Sequence, residues 1–90
     1  MDLDMIVPDQ PADELRVTLR KPITLGSQTY ADLLLREPTA AEWQQWHRLE
    51  GVDADIMAIS VVSGVPRPVI ERIGTRDLLT AARYIARFLA

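Results

Sequence analysis

Cysteine is absent from this 90-residue chain, and histidine occurs once, at His47. Without thiols there is no disulfide framework. One imidazole with no cysteine beside it is no structural zinc site either. A cysteine-free chain is compatible with the cytoplasm, although it does not require it. The four glycines form no phosphate-cradling loop, and no serine sits in a G-x-S-x-G turn. No apolar run approaches the length needed to span a bilayer. The first residues are acidic, which is the wrong charge for a signal peptide. Asp53 and Asp55 are the nearest thing to paired carboxylates. At that spacing they read as a helix N-cap and a dipole-favoured neighbour. Catalysis needs a nucleophile or base with an orienting partner in a cleft, and these residues supply no such set. The expectation is a non-enzymatic protein with no cofactor and no metal.

What is present is a 48% hydrophobic composition, normal for a folded chain and too high for general disorder. The length allows one domain. Charge is uneven along it. Residues 1–14, MDLDMIVPDQPADE, hold five acids, no base and two prolines. They read as a flexible acidic tail, with an edge strand around Met5–Val7 as the alternative. Residues 15–90 form the domain. Within it, residues 64–90 carry Arg67, Arg72, Arg76, Arg83 and Arg87 against Glu71 and Asp77. An acidic head and a basic end are open to pairing within or between molecules; two solvated surfaces are the plainer account.

The clearest pattern lies in residues 15–50. Leu15, Val17 and Leu19 alternate with Arg16, Thr18 and Arg20, the period of a half-buried strand. Ile23 and Leu25 resume the alternation after Lys21-Pro22. Gly26-Ser27 supplies a turn, and Tyr30 to Arg36 returns. Pro38 ends the pairing because it cannot donate to a ladder. Thr39 with Glu42 three residues on is a capping box, which starts a helix at once. The expected fold class is α+β: an N-terminal β-hairpin followed by a small bundle of three to four helices.

The first helix is expected over Ala40–Glu50, with Ala40, Trp43, Trp46 and His47 on one arc and Gln44, Gln45 and Arg48 facing away. Gly51 should end it and Asp53 should cap a second helix, Ala54–Ser63. Ile56, Met57, Ile59, Val61 and Val62 surround that helix, so it should be buried. Gly64 stops it. A short third helix is expected over Pro68–Ile73, since proline fits a first helical turn. Thr75 should cap the last helix, which runs to Leu89. Its polar stripe is Arg76, Thr80, Arg83 and Arg87. Its apolar arc spans Leu78, Leu79, Ala81, Ala82, Tyr84, Ile85, Phe88 and Leu89.

That arc is wide for one small core to cover. Tyr84 and Phe88, rimmed by Arg83 and Arg87, are therefore a candidate partner surface or self-association surface. The alternative is that the hairpin and the second helix cover the arc from two sides. Trp43 and Trp46 are two of only five aromatic residues. They serve either as a core anchor or as a second candidate surface. A rival reading is a helix-turn-helix DNA-binding protein. AISVVSGVPRPVIERI, Ala58–Ile73, has the packing skeleton of that motif. Only Arg67 and Arg72 would reach DNA from it, and an acidic chain disfavours phosphate binding.

The whole pattern resembles the phage tail assembly chaperone family of the Mu-like type. The resemblance covers about residues 15–90. It rests on LRKPITLGSQTYADLLLREPT, then SGVPRPVIERIGTRDL, then AARYIARFLA, in that order and spacing. The tryptophan-rich EWQQWHRLEG departs from it, since a more aliphatic helix is usual there. The resemblance implies a non-enzymatic protein that binds the tape measure protein, keeps its apolar helices soluble and helps bring tail tube protein to it. It implies no nucleic acid and no membrane as partners, work in the cytoplasm of the bacterial host, and absence from the mature virion. It also implies that a longer frameshifted product often accompanies the short form.

Overall fold

The computed structural model describes residues 12–89. Most of the expected acidic tail, and the Met5–Val7 alternative with it, lies outside the described residues. Six elements follow in order: β1 (Glu14–Leu25), β2 (Gln28–Arg36), α1 (Ala40–Trp43), α2 (Gly51–Ser63), α3 (Arg67–Ile70) and α4 (Thr75–Leu89). The expected α+β class, a hairpin followed by helices, is what the chain adopts.

β1 and β2 pair antiparallel across a two-residue turn at Gly26-Ser27. Gly26 has φ 63, a left-handed conformation open to glycine at little cost. Pairing runs from Leu25↔Gln28 to Ile23↔Tyr30, then resumes at Thr18↔Asp32. Four residues of β1, Leu19 to Pro22, thus lie opposite Ala31 alone. The surplus is a bulge, and Pro22 falls inside it, where a missing N–H leaves no ladder bond unmade. From the start of β1 to the edge of the bulge the alternation seen in the sequence decides the faces. Val17, Leu19, Leu33 and Leu35 are buried on one face. Arg16 and Asp32 are ion-paired at 2.6 Å on the other.

The buried face packs against α2 and α4. Ala58, Ile59 and Val62 come from α2; Leu78, Ala81, Tyr84 and Ile85 come from α4; Trp46 and Ile70 complete the cluster. Most of the apolar arc of α4 is therefore covered from two sides, by α2 and by β1, while Leu79 and Leu89 stay exposed. This corrects the expectation that Tyr84 is part of an uncovered excess, because Tyr84 is only 6% exposed. Phe88 is half-buried and meets the Tyr84 ring edge-on, with centroids 5.2 Å apart.

Thr39 and Glu42 form the capping box, each side chain bonded to the other's backbone N–H. The Glu42 carboxylate also receives both Arg36 guanidinium nitrogens at 2.8 Å. One residue thereby clamps the end of β2 to the start of α1.

Several helix boundaries differ from expectation. α1 stops at Trp43 rather than Glu50. Beyond it the bonds tighten to three-residue spacing, Gln45 to Glu42, Trp46 to Trp43 and Leu49 to Trp46. Gly51, with φ 59, opens α2 instead of closing α1. Asp53 therefore lies inside the first turn of α2 and pairs with Arg67 rather than capping. Thr75 is the first residue of α4 rather than its cap, since Leu78 N–H already bonds to the Gly74 carbonyl. α3 is a single turn ending at Ile70, three residues short of expectation. Gly64 closes α2 in the left-handed conformation, as its position in the sequence requires.

Among the described residues Asp77 is the one buried charged side chain, 7% exposed. Its carboxylate accepts the Arg20 backbone N–H at 3.0 Å, and the Arg20 guanidinium lies 3.7 Å away. That N–H belongs to the bulge. Asp77 thus takes a donor the ladder has lost and fixes the bulge against the first turn of α4.

Three outcomes are expected. Ile59 is fully buried, so Ile59→Asp places an unpaired charge in the core and should abolish cooperative thermal unfolding. Asp77→Ala leaves the Arg20 N–H unpaired. It should lower stability by about 1–3 kcal/mol, read as a shifted urea midpoint with an unchanged slope. The third concerns pH. The Arg36 hydrogen bonds, then the Thr39 N–H, hold the Glu42 carboxyl at about 2, below its usual 4.5. A depressed folded value means stability present above the unfolded value and lost as pH falls towards 2. Solvent at the exposed Arg36 side chain limits this to ~1 kcal/mol. Glu42→Gln should remove that slope from acid denaturation between pH 4.5 and 2.

Candidate interaction surfaces

Among the described residues no three His, Asp or Glu side chains gather as metal ligands. No helix of the described residues is long and apolar enough to cross a membrane. What the described residues offer instead is a set of shallow depressions and a few exposed apolar side chains.

The first depression lies on α1 and the turn after it. Trp43, Ala40, Gln44 and His47 line a shallow, mostly apolar hollow of about 350 Å³. Trp43 is 46% exposed, and the His47 ring leans on it at a centroid distance of 5.9 Å. A continuous helix would carry both tryptophans on one arc. The tightened turns after Trp43 part them, so Trp46 enters the core at 5% exposure while Trp43 stays outside. The sequence left the pair as either core anchor or binding surface, and each ring takes one of the two places.

The second depression is a groove of about 200 Å³ between α2 and α4. Ala54 and Ala58 stand on one wall, Ala82 and Ala86 on the other, with Trp46, Ile85 and Leu89 completing it. Small side chains at four-residue spacing on both helices leave the space. Those two alanine pairs are visible in the sequence as a spacing, although alanine carries little hydrophobic signal of its own. Leu89, at 41% exposure, stands at one end.

The third depression, about 360 Å³, lies between α4 and the start of β1. Ala12, Leu15, Thr80, Arg83, Tyr84 and Arg87 line it. The Tyr84 hydroxyl donates to the Ala12 carbonyl. Burial, then the Asp13, Glu14 and Glu37 carboxylates, raise the Tyr84 phenol above its ordinary value, so it remains a donor. Of the four residues proposed from the sequence on α4, Arg83 and Arg87 are exposed, Phe88 is half-buried and Tyr84 is core. The structure brings Arg83, Tyr84 and Arg87 together in this cleft. Phe88 is outside its lining.

The geometry also bears on the helix-turn-helix alternative. A recognition helix must present several side chains to base edges, and α3 has four residues. Arg67 is held by Asp53 and Glu71, and Arg72 donates to the Thr24 carbonyl at the hairpin tip. Both side chains that reading assigned to DNA are engaged within the fold.

Comparison with known proteins gives one match. A family model described as phage tail assembly chaperone proteins, E, or 41 or 14, matches residues 16–90. No curated protein and no solved structure matches the chain. The match takes in every element from β1 to α4 except the first two residues of β1. The chain, a hairpin clamped to a helical bundle with apolar hollows on its surface, belongs by this match to the phage tail assembly chaperone family.

Proposed function

We propose that this chain binds apolar helical segments of the tape measure protein before the tail tube closes around it, keeps them soluble and helps recruit tail tube subunits. It acts without catalysis or a bound cofactor, in the cytoplasm of the bacterial host, and leaves before the virion is complete. Support comes from the family, together with one observation: Trp43 stands 46% exposed in an apolar hollow in a domain that buries its other tryptophan. An exposed tryptophan brings a large apolar area and one donor to a partner. Amphipathic helices dock by laying an apolar face into such surfaces. A small contact with polar neighbours such as Gln44 and His47 suits a partner that must later be released.

The test pairs binding with folding. Trp43→Ser should reduce co-purification with a tape measure fragment, by ~2 kcal/mol or roughly thirtyfold in Kd if Trp43 is a central contact. It should leave the melting temperature almost unchanged. Trp46→Ser, in the core, should destabilise the fold by about 3–5 kcal/mol. Full client binding by Trp43→Ser would remove Trp43 from the contact.

A further inference from the structure

The two edges of the hairpin are not alike. We propose that the β2 edge joins this chain to a second copy of itself, in a two-fold dimer with Leu34 on the axis. The β1 edge is interrupted by its bulge at Leu19–Pro22. Among the described residues β2 pairs with β1 alone, and no backbone bond from outside the hairpin reaches it. An unpaired strand edge is a template for another strand. Apolar groups flank this one on both faces of the sheet. Leu34, 43% exposed, lies on the face turned away from the helices. On the helix side, α2 lies over β2 and α4 chiefly over β1. Val52 and Ile56 of α2 are one turn apart and point opposite to Ala54 and Ala58, which face α4 across the groove. They therefore stand on the β2 side, Val52 exposed and Ile56 half-buried.

The order of residues along β2 selects a second copy as the occupant and sets the register. In an antiparallel pair centred on Leu34, that leucine meets its own counterpart, and Asp32 meets the copy's Arg36 on either side. Asp32 is already paired with Arg16, and Arg36 with Glu42. The dimer extends these pairs into a row of alternating charge: Arg16, Asp32, the copy's Arg36, the copy's Glu42. On the other face Leu33 meets the copy's Leu35, and the flanks of the two α2 helices approach each other across the axis. A centre on Asp32 would set like charges opposite each other, and a centre on Leu33 would put Asp32 against the copy's Leu34. Tyr30 falls opposite the copy's Pro38, where pairing ends. Each copy's bulge blocks its β1 edge, so growth stops at two chains and the symmetry closes. This inference rests neither on Trp43 nor on any client.

The test uses the full chain. Sedimentation equilibrium should show a concentration-dependent doubling of mass. Leu34→Lys sets two ammonium groups against each other on the axis. It should weaken the dimer roughly tenfold or more in Kd and leave the circular dichroism spectrum unchanged, because Leu34 is exposed in the single chain. The register is read separately. With no native cysteine, Leu34→Cys places one thiol on the axis, and air oxidation should link the two copies. Asp32→Cys should not link them, since Asp32 and its counterpart are four residues apart in this register, about 13 Å, beyond the span of a disulfide. Leu25→Cys, at the hairpin tip, should also stay unlinked. A chain that remains monomeric at every concentration overturns the proposal, as does a dimer that Leu34→Lys leaves intact. Linking of Asp32→Cys or Leu25→Cys as readily as Leu34→Cys would sink it too. A monomer whose β2 amides resist hydrogen exchange along the outer edge would assign that edge to another segment of the same chain, against the proposal.

Discussion

A two-stranded sheet cannot stand alone, and the rest of this structure depends on how its one apolar face is covered. An isolated hairpin is at best marginal in water. Here Val17, Leu19, Leu33 and Leu35 meet Ile59, Val62, Ala81 and Ile85, and neither layer has another core to fall back on. A domain of this length exposes much of its surface, so the alignment of the two layers matters as much as their composition. Two polar fixtures set it. The Arg36–Glu42 pair holds the sheet to α1 at one end, and Asp77 holds the bulge of β1 to α4 at the other. The second is buried and charged, a combination found mainly where every lone pair has work to do.

The parts of the fold legible in the sequence are those written in local periodicity. Alternation over Leu15–Leu19 named the buried face of β1, and the Thr39–Glu42 box marked the start of α1. The helical pattern of α4 gave its length almost to the residue. What escaped was set by tertiary context. Gly51 reads as a helix terminator from its neighbours alone, but its positive φ turns the chain into α2. Asp77 reads as a favourable first-turn acid, and its burial depends on a bulge 57 residues away. The apolar arc of α4 looked too wide for one core because the sequence does not show that α2 and β1 both lie against it.

The interaction surface was legible only as a set of aromatics. The sequence grouped Trp43 with Trp46 and Tyr84 with Phe88, each on one helical arc. The structure divides both pairs, sending Trp46 and Tyr84 inwards and leaving Trp43 outside with Phe88 half-covered. In the first pair the cause is local: tightened turns after Trp43 break the arc. In the second it is packing, since Tyr84 joins the core cluster and its hydroxyl donates to the Ala12 carbonyl. The alanine-lined groove between α2 and α4 shows the converse case. Small residues carry no hydrophobic signal of their own, yet their spacing decides where two helices leave room.

The bulge in β1 has a consequence for crowding. A bare two-stranded sheet presents two open edges, and open edges invite strands from neighbouring molecules. On β1 the row of ladder donors and acceptors is interrupted at Leu19–Pro22, where Pro22 has no N–H to give and the Arg20 N–H is already taken by Asp77. A foreign strand approaching that edge meets a gap halfway along. The feature that ties the sheet to α4 therefore also denies it a template for fibrous stacking, a useful property in a small protein that keeps one tryptophan in the open.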